Sequence, residues 1–173
     1  MAIAAYADRV ATLSGSAVRE ILKLTQQPDM ISFGGGMPSA DAFPTEDLKK
    51  IMHDIVEHLD GEVLQYGVTE GYAPLREEIV RLMAAKGVQA AADEVLITSG
   101  SQQGIDLVAR AFLNKGDKVI VESPTYLSAI QVFKLYEADL IPVAVDEEGI
   151  LPHELQKIFE QYGEQVKLLY MVP

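Results

Sequence analysis

The stretch Thr98-Ser99-Gly100-Ser101-Gln102-Gln103-Gly104 sets glycine, hydroxyl and amide groups where a short apolar run gives way to a helical pattern. These residue types at this spacing suit anion binding. Gly100 permits an unusual φ and a close backbone approach. Ser101 can cap the helix while its hydroxyl and N–H face a ligand, and the Gln102 N–H adds a donor. The dipole at a helix start favours negative charge, so a phosphate is the natural guest. The spacing fits neither the dinucleotide pattern G-x-G-x-x-G nor the nucleotide P-loop, because no Gly-Lys-Ser/Thr follows. The plain alternative is a Ser-capped helix after a glycine turn.

Other residues can be read in the same two ways. Glu122-Ser123-Pro124-Thr125-Tyr126 follows a strand pattern, so Tyr126 falls at a helix start on the same sheet edge as the glycine turn. Its ring can stack on a flat heterocycle or simply fill space. Tyr66, in a loop running to Tyr72, offers a neutral phenol donor to phosphate or a hydroxyl to water. Gly34-Gly35-Gly36 is either a flexible turn or backbone passing close to a substrate. Arg19 is either a solvated cation or a carboxylate clamp. His53, His58 and His153 lack carboxylate or cysteine companions at ligand spacing, and they read as non-functional, with no metal site. There is no G-x-S-x-G nucleophile elbow.

The elements that position these groups alternate from Asp93 onward. Strands are expected at 95–98, 118–121, 140–145 and 166–172, with helices at 101–113, 125–135 and 152–162. Pro142 places the third strand at an edge. Such alternation with short loops implies a parallel sheet with flanking helices. Ligands then bind beyond the carboxyl ends of the strands. Upstream, Thr45 is expected to cap a helix carrying Leu48, Ile51, Met52, Ile55, Val56 and Leu59 at helical spacing. Pro74 opens another helix, with Leu75, Ile79, Leu82 and Met83 inward and Gly87 ending it. Residues 1 to about 40 read as an arm with a short helix around 18–25.

The 173 residues suffice for a domain with a real core, and 49% hydrophobic residues fit a soluble globular chain. No apolar run approaches the roughly 20 residues of a membrane span, and no secretory signal is evident. With no cysteine there is no disulfide framework or thiolate site. These features point to the cytoplasm. A net charge of -12 disfavours nucleic acid and anionic membrane as partners. It leaves room for a small anionic cofactor gripped by local N–H groups.

Taken together, three stretches resemble class I aminotransferases of fold type I, the 2-aminoadipate/kynurenine aminotransferase-like branch. The first is Val18-Arg19-Glu20-Ile21-Leu22-Lys23 with Ile31 to Pro38 and Phe43-Pro44. The second is Leu64-Gln65-Tyr66 with Thr69-Glu70-Gly71-Tyr72 and Pro74-Leu75-Arg76. The third joins Thr98 to Gln103 with Glu122 to Tyr126. The resemblance covers essentially the whole chain. It implies a partial aminotransferase large domain, α/β in class, with 1–44 an N-terminal arm and small-domain segment and 45–173 the start of the cofactor-binding large domain. It also implies pyridoxal 5'-phosphate as cofactor, amino acid and 2-keto acid substrates, and a homodimer. Gly100, Ser101 and Gln102 would hold the cofactor phosphate, and Tyr126 would stack on its ring. Tyr66 would reach the cofactor phosphate of the neighbouring subunit. Gly35 would lie by the substrate carboxylate, with Ser16 and Arg19 facing the substrate side chain.

The departures from the family pattern matter as much. None of the nine lysines has a serine within the three preceding residues, whereas the family's Schiff-base lysine follows a Ser-x-Ser. That lysine, the partner of the pyridine nitrogen and the carboxylate-binding arginine are expected beyond Pro173, in a parent of roughly twice this length or more. Residues 1–173 alone are therefore expected to be inactive in transamination. The resemblance also implies a seven-stranded sheet in which three absent strands separate 95–98 from the others, leaving 95–98 without partners. Two other functions fit parts of the pattern. One is an aminotransferase-like effector domain of a transcriptional regulator, against which the acidic charge and the direct start at Met1 argue. The other is a self-contained phosphate-binding α/β module with a closed four-stranded sheet over 93–173.

Overall fold

The structure, a computed structural model, describes residues 5–11, 36, 38–58, 61 and 64–172. They form two compact units, one of residues 5–11 with 99–172 and the other of residues 36 to 98.

The first unit is built on alternating strands and helices. After α1 (Asp8–Ala11) it resumes with α2 (Ser101–Phe112), then β1 (Lys118–Ser123) and α3 (Leu127–Leu135). β2 (Asp139–Asp146), β3 (Gly149–Ile150), α4 (Pro152–Tyr162) and β4 (Val166–Tyr170) follow. The sheet order is β3-β2-β1-β4, with β1 parallel to both β2 and β4. Register explains the core. Val119 stands opposite Leu140 and Leu168, and Val121 opposite Tyr170. Side chains alternate along a strand, so these residues share one face. That face meets Ala109 and Leu113 near the end of α2 and Ala129, Val132 and Phe133 of α3. Ile120 and Val143 point to the opposite face and are fully buried. Tyr136 donates to Asp106 at 3.0 Å, and Arg110 donates to both, tying the two core helices together.

The parallel pairing agrees with the sequence expectation, and most element limits fall within two residues of it. β2 has β1 along its length, while its other side meets only the two-residue β3 near its end. Pro142 thus sits where no second ladder runs, as its missing N–H requires. The short β3 was not anticipated. Its turn, Asp146-Glu147-Glu148-Gly149, closes with the Glu148 N–H donating to Asp146 Oδ1 at 2.8 Å and Gly149 at φ +113°.

The second unit contains α5 (Thr45–Glu57) and α6 (Ala73–Ala85), the two helices expected upstream. Several expectations need correction here. Pro44, not Thr45, occupies the capping position of α5, and no side chain caps it. Leu75 and Leu82 were expected inward but are 44% and 59% exposed. The described residues of this unit include no fully buried hydrophobic, so nothing there covers that face. Residues 95–98 form no strand. Val95 is extended at φ -109°, ψ 123°, but without a neighbouring strand there is no ladder. The Ile97 N–H instead donates to the Glu70 carbonyl at 3.0 Å. A closed four-stranded sheet over 93–173 is likewise not found, since the fourth strand is β3 and β4 has no second neighbour among the described residues. The expected helix around 18–25 lies outside the described residues.

Gly71 is what lets the Tyr66 loop lie on Ile97. It sits at φ +99°, and a Cβ there would meet Ile97 Cγ1 at 2.5 Å and Cβ at 2.6 Å. Gly116 has a similar φ of +84° but open space around it. Gly71→Ala is expected to cost about 2–4 kcal/mol, backbone strain plus overlap, and Gly116→Ala about 1–2 kcal/mol, strain alone. Urea denaturation of both variants checks this, and equal losses would contradict it.

Candidate functional site

The glycine turn before α2 is open to solvent. Ser99, Gly100, Ser101, Gln102 and Gln103 are all exposed. Gly100 stands at the capping position at φ +80°, ψ 170°, a conformation that suits glycine and carries no side chain over the helix end. No side chain caps the first turn, and no acidic residue lies in it. The leading N–H groups of any α-helix have no carbonyl partner within the helix, so those of Ser101 and Gln102 are suited to an external acceptor. The Ser101 hydroxyl lies at the same opening. Ser101 was expected to cap the helix itself. It instead occupies the first helical position, because Gly100 makes the bend.

Tyr126 occupies the capping position of α3 in extended conformation (φ -69°, ψ 119°), with Thr125 between it and the cis Ser123–Pro124 peptide. It is 43% exposed and lines a cavity of about 940 Å³ at the carboxyl ends of β1, β2 and β4. Glu122, Thr125, Asp146, Met171 and Val172 also line it. Ser101 lines a neighbouring apolar hollow of about 330 Å³ with Ile105, Phe133 and Tyr170. Leu168, Leu169 and Tyr170 of β4 line the hollow with Ser101, and the next residues, Met171 and Val172, line the cavity with Tyr126. The strand at 95–98, on which the expectation of a shared edge rested, does not form, and what the two features have in common is the end of β4 and the residues after it.

Three residues at this edge carried no role in the sequence reading. The Glu122 carboxylate accepts the Val172 N–H at 2.8 Å, fastening the chain after β4 to the end of β1. Thr125 Oγ1 is buried without a hydrogen-bond partner among the described residues. Such atoms are rare in folded proteins and mark places where a polar guest or water completes the structure. Tyr170 meets Phe133 edge-on, with ring centroids 5.6 Å apart. Its hydroxyl pKa is pushed above the ordinary tyrosine range, chiefly by burial, with added repulsion from Tyr126 and Glu122. Alternation along β4 could have revealed Tyr170 as core-facing. The Glu122 tie, spanning 50 residues, had no local signal.

The remaining candidates separate. Tyr66 belongs to the second unit and is almost wholly exposed, with its own N–H donating to Gln65 Oε1 at 2.8 Å. Ser16, Arg19 and Gly35 lie outside the described residues. The histidines do have carboxylate companions, contrary to the sequence reading. His53 lies 3.6 Å from Glu57, His58 3.3 Å from Asp54, and His153 3.2 Å from Glu154. All three pairs are at the surface, two of them one helical turn apart. Among the described residues no cluster of His, Cys, Asp or Glu suits a metal ion, and no helix is long and apolar enough to cross a membrane.

Tyr170 gives a direct check on this geometry. With a raised pKa in the folded state, the folded protein holds the proton more tightly than the unfolded chain. Its contribution to stability is therefore intact below the ordinary tyrosine range and falls as pH rises from there through the raised value. Ultraviolet titration of phenolate is expected to lose its highest-pH component in Tyr170→Phe; an unchanged profile would contradict this.

Comparison with known proteins follows the same lines. The family model described as aminotransferase class I and II matches residues 28–171. Aromatic-amino-acid aminotransferase 1 of Thermococcus litoralis is 37% identical over 173 residues, covering 97% of this chain and 41% of that protein. The 2-aminoadipate transaminase of Thermus thermophilus is 38% identical, covering 98% of this chain and 41% of that one. A crystal structure of Pyrococcus horikoshii kynurenine aminotransferase superposes with a TM-score of 0.85 at 39% identity, over 97% of this chain and 42% of that one. Less similar relatives, 27–30% identical, include helix-turn-helix transcriptional regulators of Bacillus subtilis and Escherichia coli. The chain thus spans about two fifths of the length of the curated aminotransferases it matches. With its α/β sheet and matching family model, the chain belongs to the class I and II aminotransferases.

Proposed function

We propose that this chain is the N-terminal portion of a pyridoxal-phosphate-dependent aminotransferase. The parent exchanges an amino group between an amino acid (2-aminoadipate, glutamate, aromatic or branched-chain) and a 2-keto acid. The observation that carries this reading is the exposed, uncapped opening of α2, whose Ser101 lines a hollow with Leu168, Leu169 and Tyr170, the residues that run directly into Met171 and Val172 of the Tyr126 cavity. The residues present fit the cofactor. The Ser101 and Gln102 N–H groups and the Ser101 hydroxyl are donors suited to a phosphate dianion. Gly100 leaves the approach clear of any side chain. Tyr126 presents an aromatic face, and Thr125 Oγ1 beside it has an unused polar valence.

When bound, pyridoxal phosphate supplies the electron sink that labilises bonds at a substrate α-carbon. The residues here bind and orient. The α2 opening fixes the phosphate end, and Tyr126 restrains the ring by stacking. In the same proposal Tyr66 reaches the phosphate of the neighbouring subunit's cofactor, Gly35 lies by the substrate carboxylate, and Ser16 and Arg19 meet its side chain. The arm at 1–44, the cofactor-binding segment at 45–173, a cytoplasmic homodimer, and a role in amino acid metabolism without nucleic acid or membrane partners complete it.

Pyridoxamine 5'-phosphate is the cleanest probe, since it has no aldehyde to react with the chain's lysines. Ser101→Ala and Tyr126→Ala are each expected to weaken its binding about tenfold, by loss of a charge-assisted hydrogen bond and of stacking respectively. Pyridoxamine without the phosphate should not sense Ser101→Ala. Isothermal titration checks both, and binding by the two variants equal to that of the unaltered chain would sink the proposal.

A further inference from the structure

The turn before α2 is held by a side chain to which neither the family match nor the sequence reading gives a role. The Ser99 N–H donates to Gln103 Oε1 at 2.5 Å. Gln103 is the third residue of α2, the position from which Glu or Gln reaches back to the capping N–H in a capping box, but here it reaches one residue further, past Gly100 to Ser99. Here the reciprocal half is missing, because the capping residue is glycine. The back-reaching half still ties down the turn, and no side chain covers the leading N–H groups of Ser101 and Gln102. The amide orientation follows from the donor it meets. Nε2 in place of Oε1 would set two donors against each other.

The choice of glutamine matters electrostatically. Elsewhere in this chain a similar back-reach, one residue shorter, is made by a carboxylate, Glu94 accepting the N–H of its capping residue Ala91 at 2.8 Å. A carboxylate at 103 would make the same hydrogen bond and place a full negative charge within one helical turn of the opening. A neutral amide accepts the hydrogen bond without repelling an anion.

We propose that Gln103 is a positioning residue for the phosphate cradle, a neutral latch that fixes the Ser99–Ser101 turn while leaving the opening attractive to an anion. This rests on the cofactor reading above. The test compares Gln103→Glu and Gln103→Met in the full chain, with inorganic phosphate and pyridoxamine 5'-phosphate as probes. Gln103→Glu keeps the acceptor, so its melting temperature should stay within about 2 °C, while affinity for both probes falls about tenfold from like-charge repulsion. That loss should shrink in about 0.5 M salt. Gln103→Met removes the acceptor without adding charge and should weaken binding about threefold at any salt. Unchanged affinity in Gln103→Glu, or a salt-insensitive loss equal to that of Gln103→Met, overturns the latch role. If the unaltered chain binds neither probe, the cradle reading itself fails and the latch falls with it. If it binds both and only the variants depart from expectation, the latch alone fails.

Discussion

A helix that begins in open solvent with its leading N–H groups uncovered is an unusual thing to preserve. Folded chains normally satisfy such groups with a side chain at the cap. Here the cap is Gly100, and the rest of the first unit holds that opening in place. Ala109 and Leu113 bury the far end of α2 against Val119 and Val121. The helix is therefore anchored most firmly by its carboxyl half, while Ser101 and Gly104 at its amino end line a hollow with Leu168, Leu169 and Tyr170 of β4. The parallel register of β1 with β2 and β4 brings Tyr126, Glu122 and the end of β4 to the same edge.

Charge sets the opposing constraint. The chain carries a net -12, and Glu122, Asp146, Glu147 and Glu148 all line the cavity beside Tyr126. Most of the distant charge matters little, since the screening length at physiological ionic strength is about 8 Å. The nearby carboxylates matter more. Glu122 is partly occupied by the Val172 N–H and Asp146 by the Glu148 N–H, which draws their charge into local hydrogen bonds. The first turn of α2 has no acidic residue at all. An anion at the opening is thus favoured by short-range, oriented dipoles against a diffuse repulsive background. That predicts a site selective in position yet modest in affinity.

Much of this was legible in sequence wherever the signal was local. The alternation of apolar runs with helical spacing gave β1, β2, β4 and the helices between them, and Pro142 marked an edge. The glycine turn at Gly100 and the proline before Tyr126 marked the candidate site because turns that open helices carry their own sequence chemistry. What failed was long-range. Residues 95–98 have the composition of a buried strand, but a strand exists only with neighbours, and the Ile97 N–H donates instead to the Glu70 carbonyl of a loop. Leu75 and Leu82 have core spacing yet remain exposed. The Glu122–Val172 tie depends on pairing across 50 residues, which no window of sequence reports.

The central claim is that main-chain amides at one helix opening grip a phosphoryl group. Amide chemical-shift mapping of the isotope-labelled chain during titration with inorganic phosphate addresses it residue by residue. The account predicts that the largest shifts fall on Ser101 and Gln102, saturating together. Shifts confined to basic surface positions such as Lys115 and Arg110, with Ser101 and Gln102 unmoved, would contradict it.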